Sequence, residues 1–330
     1  MAKLNKDIFK AYDIRGTYPD EFDENAAYLI ARAFAKALKA KTAVVGHDMR
    51  TSWGALMPEL VRGLHDSGVD VWDVGLVSTP LYYHCVNSLK GDVGLMLTAS
   101  HNPGQYNGLK PTGPDAIPSI AFVSNEDIWR MAEAEDFDTP AAKGKTLGQR
   151  DLLDEYVAKV IETIGVSSFG GLKAVMDTGN GMGGHVLPAL TRALKADVVP
   201  LYWDVDGTFP NHEANPLKES TLDDLKRKVV ETGADLGVAY DGDADRVRFV
   251  DEKGESIPGD IITALLARQV LARHPGETIL YDLRSTQAVR EEIENAGGKA
   301  VMCRVGHCLL YTSDAAEDLL CVALGGRRIN

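Results

Sequence analysis

Residues 92–103 read Asp92-Val-Gly-Leu-Met-Leu-Thr-Ala-Ser-His-Asn-Pro103. The first half is an apolar run of strand length. The second half, Thr98-Ala99-Ser100-His101-Asn102-Pro103, is a turn closed by a proline that bars a following helix. Taken alone such a turn is ordinary, because Ser, Asn and Pro all favour turns. A serine delivered to a loop by a buried strand, with a histidine beside it, is also placed to make or break a covalent bond.

Working outward, the flanking sequence alternates between two periodicities. Ala27, Ile30, Phe34, Ala37 and Leu38 recur at helical spacing and predict a helix over 24–40. Thr42–Val45 predicts a short buried strand that ends in Gly46-His47-Asp48, and Leu56, Leu60, Val61 and Leu64 predict a helix over 54–66. Val69–Val74 alternates as a strand, and Leu81–Leu89 is helical before the strand that leads to Ser100. Strand and helix alternating at this spacing predict an α/β fold with mainly parallel mixed sheets. Lys110–Ser119, rich in Pro and Gly, reads as loop, and the small, polar residues 132–148 read as a domain boundary. The pattern then restarts: a helix from Leu152 to Ile164, a strand Leu172–Met176 ending in Asp177, a helix to about Leu194, and strands at Asp197–Tyr202 and Asp235–Tyr240. It restarts once more with a helix at Asp260–Ala272 and a strand Thr278–Tyr281 ending in Asp282, as if one unit were used three times.

A formal charge of −13 argues against nucleic acid or an anionic membrane surface as partner, while leaving room for a small anion held by a few arginines. No apolar run approaches the roughly 18 residues of a membrane span, and Met1–Asp7 lacks a signal-peptide core. Cys85, Cys303, Cys308 and Cys321 have no metal-ligand spacing and read as reduced thiols, so a cytoplasmic protein is expected.

Asp241, Asp243 and Asp245 place three carboxylates at alternate positions between two apolar runs. Oxygen donors so close together repel unless a divalent cation neutralises them, and Mg²⁺ in an enzyme site is the expected ligand. An EF-hand is a decoy: Glu252 falls at loop position twelve, but Arg246 occupies the position that needs glycine and the flanks read as strands. Gly179-Asn-Gly-Met-Gly-Gly184 satisfies a dinucleotide-binding fingerprint with Asp204 at the matching distance. That fingerprint leaves Ser100 and the aspartates unexplained, so it reads as a turn opening a helix. Asp204-Val-Asp-Gly-Thr208 imitates the nucleophile motif of haloacid-dehalogenase phosphatases. Only about forty residues separate it from the aspartates, too few for the intervening strand–helix units at roughly thirty residues each.

Ala11-Tyr-Asp-Ile-Arg-Gly16, Thr98–Pro103, Asp241-Gly-Asp-Ala-Asp-Arg246 and Val305-Gly-His307 together resemble the phosphomannomutase/phosphoglucomutase family of phosphohexomutases, over roughly residues 7–307. The resemblance implies tandem α/β domains: domain I over 1–148 with a phosphoserine loop, domain II over 149–256 with a metal loop, and part of domain III over 257–307. The fourth domain and a Gly-Glu-x-Ser sugar-reading loop are absent, so an impaired fragment is expected. Residues 308–330 resemble the read-through of a sequencing-library adapter and are set apart.

The resemblance further implies a phosphoserine at Ser100, with its phosphate and Asp241, Asp243 and Asp245 around one Mg²⁺. Arg15, Arg246, Lys110 and His101 would surround the transferred group, and Tyr12, Arg284 and His307 would line the sugar side. Lys110 and His307 are candidate proton-transfer groups. The implied reaction interconverts hexose 1- and 6-phosphates, mannose or glucose preferred, through a hexose 1,6-bisphosphate. Three alternatives stand beside it: a phosphoglucosamine mutase, a dehalogenase-type phosphatase and a non-catalytic sugar-phosphate-binding fragment. Hexose phosphates are the expected partners, with no obligate protein partner.

Overall fold

The computed structural model describes residues 4–303 and 305. The chain divides into two compact units, Met1–Gly254 and Glu255–Asn330. The first contains β1 (Ile14–Thr17), α1 (Glu24–Ala37), β2 (Thr42–His47), α2 (Trp53–Asp66), β3 (Asp70–Leu76), α3 (Thr79–Ser88), β4 (Val93–Leu97), β5 (Tyr106–Thr112), α4 (Asn125–Glu133) and β6 (Thr146–Gln149). It continues through α5 (Leu153–Ile164), β7 (Lys173–Asp177), α6 (Gly183–Ala193), β8 (Asp197–Leu201), α7 (Asp223–Thr232), β9 (Leu236–Tyr240) and β10 (Val247–Asp251).

The strands β1–β6 form one sheet in the order β1-β5-β4-β2-β3-β6. The pairs β4–β2, β2–β3 and β3–β6 are parallel, and β5 is antiparallel to both β1 and β4. All five residues of β4 are buried, as a strand covered on both faces requires. Helix α1 starts where the Asp23 carboxylate accepts from the Ala26 amide, and it presses Ala27, Ile30 and Phe34 into the core with no exposed surface. It ends at Ala37, three residues before the expected end, and Lys39 takes a left-handed conformation at φ 50°. In the second sheet β7 lies parallel between β8 and β9, and β10 runs antiparallel to β9. Both sheets are mixed, and the parallel pairs β4–β2, β2–β3, β3–β6, β7–β8 and β7–β9 are those the alternation predicted.

One expectation needs correction, and one stretch holds an element the pattern did not reveal. Lys110–Thr112 belongs to β5 and not to a loop; Pro111 is tolerated because β1 reaches only as far as Leu109 along this strand. The polar stretch 132–148 contributes β6, a short strand at the sheet edge whose polar composition concealed it.

The second unit pairs strands Thr278–Asp282 and Lys299–Cys303 in parallel. Helices Gly259–Arg273 and Gln287–Asn295 accompany them, around Ala267, Leu271, Ile279, Tyr281, Val289 and Ile293. Among the described residues no helix is long and apolar enough to cross a membrane.

Candidate active site

β2 and β4 are parallel neighbours, so the segments following them emerge side by side at the carboxyl edge of the sheet, where open α/β sheets place ligands. Ser100 follows β4 and is fully buried with φ at 53°, a conformation that costs free energy outside glycine. Its amide donates to Thr98 Oγ1 at 3.0 Å, and Thr98 donates onward to Asp48 Oδ2 at 2.6 Å. Asp48 pairs with Arg50 at 3.2 Å, both groups buried. Arg50 then donates to the carbonyls of Ser100 (2.9 Å), Asn102 (2.6 Å), Pro103 (2.7 Å) and Tyr106 (2.8 Å). One guanidinium thus gathers the serine loop and overrides its local preferences. The sequence reading missed Asp48 and Arg50. Their signal was position alone, at the end of a parallel strand beside β4.

β9, in the second sheet, ends one residue before Asp241, which meets the serine loop. Ser100 Oγ donates to Asp241 Oδ2 at 3.0 Å, across 141 residues of chain. Gly242 allows the approach, because a Cβ there would stand 2.4 Å from the Ser100 carbonyl oxygen. Arg246 donates to His101 Nδ1 at 2.6 Å and to Ser100 Oγ at 3.4 Å. Burial, then the positive charges of Arg246 and Arg15, push the His101 imidazole down to about 4, so it is neutral at pH 7 and accepts through Nδ1. Arg15 pairs with Asp13 at 2.6 Å and donates to Asn102 Oδ1 at 2.8 Å, bracing the far side of the loop. Tyr12 lies just before β1, the strand that carries Arg15.

The carboxylate oxygens of Asp241, Asp243 and Asp245 lie within 4.8 Å of one another. Asp243 is held by the Thr79 hydroxyl at 2.6 Å, and Lys110 donates to both Asp243 and Asp245. Asp243 Oδ1 and Asp245 Oδ1 are buried without a hydrogen-bond partner. Burial and the charges of Asp243 and Asp245 push Asp241 well above the usual carboxylate range. Burial would also raise Asp243, but the Lys110 ammonium outweighs it and holds this carboxyl low. Orphaned oxygens and one carboxylate driven toward protonation make a donor set that a hard divalent cation would satisfy. Lys110 itself is held strongly protonated: burial opposes its charge, and the aspartates more than compensate.

Gly179–Gly184 is the turn that opens α6, as expected, and Met182 donates its amide to the Gly242 carbonyl at 2.8 Å. The Asp204–Thr208 loop is a clasp: Gly207 packs where a Cβ would meet the Met49 carbonyl at 2.3 Å, and the Phe209 ring lies 5.6 Å from the Arg50 guanidinium. Arg284 belongs to the second unit, where it pairs with Asp282 at 2.6 Å. His307 and the segment 308–330 lie outside the described residues.

Residues 6–139 match the family description "Phosphoglucomutase/phosphomannomutase, alpha/beta/alpha domain I". Residues 154–254 match domain II and residues 258–326 match domain III. The chain belongs to the phosphoglucomutase/phosphomannomutase family. It is 40% identical over 327 residues to the phosphomannomutase of Salmonella typhimurium, covering 97% of this chain and 71% of that protein. It is 40% identical over 313 residues to the phosphomannomutase/phosphoglucomutase of Pseudomonas putida, covering 94% of this chain and 66% of the relative. Among solved structures, a phosphoglucomutase/phosphomannomutase family protein from Burkholderia thailandensis superposes with a TM-score of 0.86 at 34% identity, over 93% of this chain and 68% of that one. Relatives bearing these names are phosphotransferring isomerases, and the tandem α/β domains match the family fold. Neither the phosphatase nor the dinucleotide reading gains support from the site. The match to domain III runs past His307 to residue 326.

Proposed function

We propose that this chain carries out phosphoryl transfer between Ser100 and hexose phosphates, as a phosphomannomutase/phosphoglucomutase that interconverts the 1- and 6-phosphates of mannose or glucose. The observation that carries the reading is the serine hydroxyl, buried in a left-handed turn, 3.0 Å from Asp241 and within reach of Arg246. In the first step the bond from Ser100 Oγ to phosphorus breaks as the free sugar hydroxyl bonds to the same phosphorus, and the proton that hydroxyl gives up ends, in net, on the departing Ser100 oxygen. The hexose 1,6-bisphosphate turns over, and its other phosphoryl returns to Ser100. Phosphoryl transfer is largely positioning and neutralisation of spread charge. Arg246 and Lys110 supply positive charge, neutral His101 offers a ring nitrogen beside the serine, and Arg15 fixes the loop. Lys110, held protonated, suits charge neutralisation and proton donation better than proton abstraction. Asp241, Asp243 and Asp245, with the Ser100 oxygen, would hold Mg²⁺, whose bound charge offsets that of the phosphoserine. Tyr12, Arg284 and His307 are assigned to the sugar side.

Intact-mass and phosphopeptide analysis after incubation with glucose 1,6-bisphosphate and Mg²⁺ tests this reading. Stoichiometric phosphate on Ser100 is expected. Its absence from folded protein would favour a non-catalytic sugar-phosphate-binding chain. Loss of phosphatase turnover in Asp204→Asn but not in Ser100→Ala would instead mark the dehalogenase-type enzyme. A preference for glucosamine phosphates would mark the phosphoglucosamine mutase.

A further inference from the structure

The loop that carries the three aspartates is gripped by its own backbone at Gly242. The Gly242 amide donates to the Ala214 carbonyl at 3.1 Å, and the Gly242 carbonyl accepts from the Met182 amide at 2.8 Å. These partners come from two separate segments, 211–215 and 177–182. A half-buried ion pair joins the two: His212 Nε2 lies 3.0 Å from Asp177 Oδ2, with side-chain exposures of 17% and 1%. His212 Nδ1 lies 2.8 Å from the Glu213 carbonyl, and Asp177 Oδ1 accepts from the Gly179 amide at 2.8 Å. Both ring nitrogens therefore face oxygen acceptors, and both bonds form only in the imidazolium. Asn211 donates to Asn180 Oδ1 at 2.8 Å and adds a second tie between the same segments.

We infer that Asp177 and His212 form a positioning pair for the cation-binding loop, joining the two segments that hold Gly242 by its amide and its carbonyl. Neither residue touches the aspartates. They act through Ala214 and Met182, and the inference rests on the reading of Asp241, Asp243 and Asp245 as a cation site. The groups facing His212 agree with a charged ring. Burial works against the charge, but the hydrogen bond and charge of Asp177, with Asp224 beyond Tyr202, move its titration upward.

The test compares His212→Ala, His212→Gln and Asp177→Asn in the full chain. Glutamine can still donate to Asp177 from the place of Nε2. Two quantities are read: hydrogen exchange of residues 236–246 in metal-free protein, and Mn²⁺ affinity by calorimetry. His212→Ala is expected to speed exchange at Gly242 about tenfold and to weaken Mn²⁺ binding by about tenfold, with Gln restoring most of both. If His212→Ala does not fold, Asp177→Asn carries the same two measurements. A folded His212→Ala or Asp177→Asn with lower thermal stability but wild-type exchange and Mn²⁺ affinity would overturn the inference. Equal losses in Ala and Gln would overturn it too. Wild-type protein that binds no Mn²⁺ would instead sink the cation reading, while the exchange experiment still decides the tether.

Discussion

At the scale of single residues, the site trades conformational cost for chemistry. Ser100 is held at φ 53° so that its oxygen points to Asp241 and Arg246 rather than to its own backbone. Among the described residues Arg246 is the arginine that donates to the Ser100 hydroxyl oxygen, so its charge should count most where phosphoryl charge develops. Arg246→Ala should slow phosphorylation of Ser100 by glucose 1,6-bisphosphate about a hundredfold to a thousandfold, measured by quenched-flow mass analysis, with the fold intact. His212 offers a different test because its folded pKa is raised above the ordinary imidazole value of 6.5. A raised value contributes stability that is fully present below the ordinary pKa and lost as pH rises through the folded one. The stability gap between wild type and His212→Gln, from urea titrations at several pH values, should therefore be widest in mild acid and close toward alkaline pH.

At the scale of elements, the serine loop is an assembly of carbonyls around a buried cation. Arg50 and Asp48 satisfy each other, and Arg50 then fixes four carbonyls between Ser100 and Tyr106. Removing one member strands the other in a medium that solvates charge poorly. Arg50→Met should cost about 3–5 kcal/mol in urea unfolding, with part recovered in the double variant with Asp48→Asn. β5 makes a related point. Its Pro and Gly content reads as loop, yet Leu109–Thr112 pairs with β4, and β5 thereby brings Lys110 to the aspartates as a strand residue. A nonlocal ladder decides that segment, and composition cannot report one.

At the scale of the whole molecule, ligand binding and stability are linked. The aspartates join segments that lie far apart in sequence, so a cation bound to the folded state alone shifts the unfolding equilibrium. Mg²⁺ at a hundred times its dissociation constant should stabilise the unit Met1–Gly254 by about 2.7 kcal/mol, seen as a rise in its melting temperature that chelator reverses. Asp243→Asn should lose most of that rise. The charge of −13 is compatible with a small anion because Arg15 and Arg246 converge on the serine loop and Lys110 on the aspartates beside it.

The sequence by itself determined the class of fold, since periodicities of two and 3.6 alternate along it, and it brought the candidate carboxylates to notice, since Asp241, Asp243 and Asp245 stand at alternate positions of one short motif. It also rejected the decoys, the turn opening α6 and the Asp204–Thr208 clasp, by context. Only the tertiary structure decided that Ser100 meets Asp241, that Arg50 gathers the serine loop, and that His212 ties its segment to Asp177. Those contacts join residues that no short-range pattern couples, and sheet order with close glycine packing brings them together.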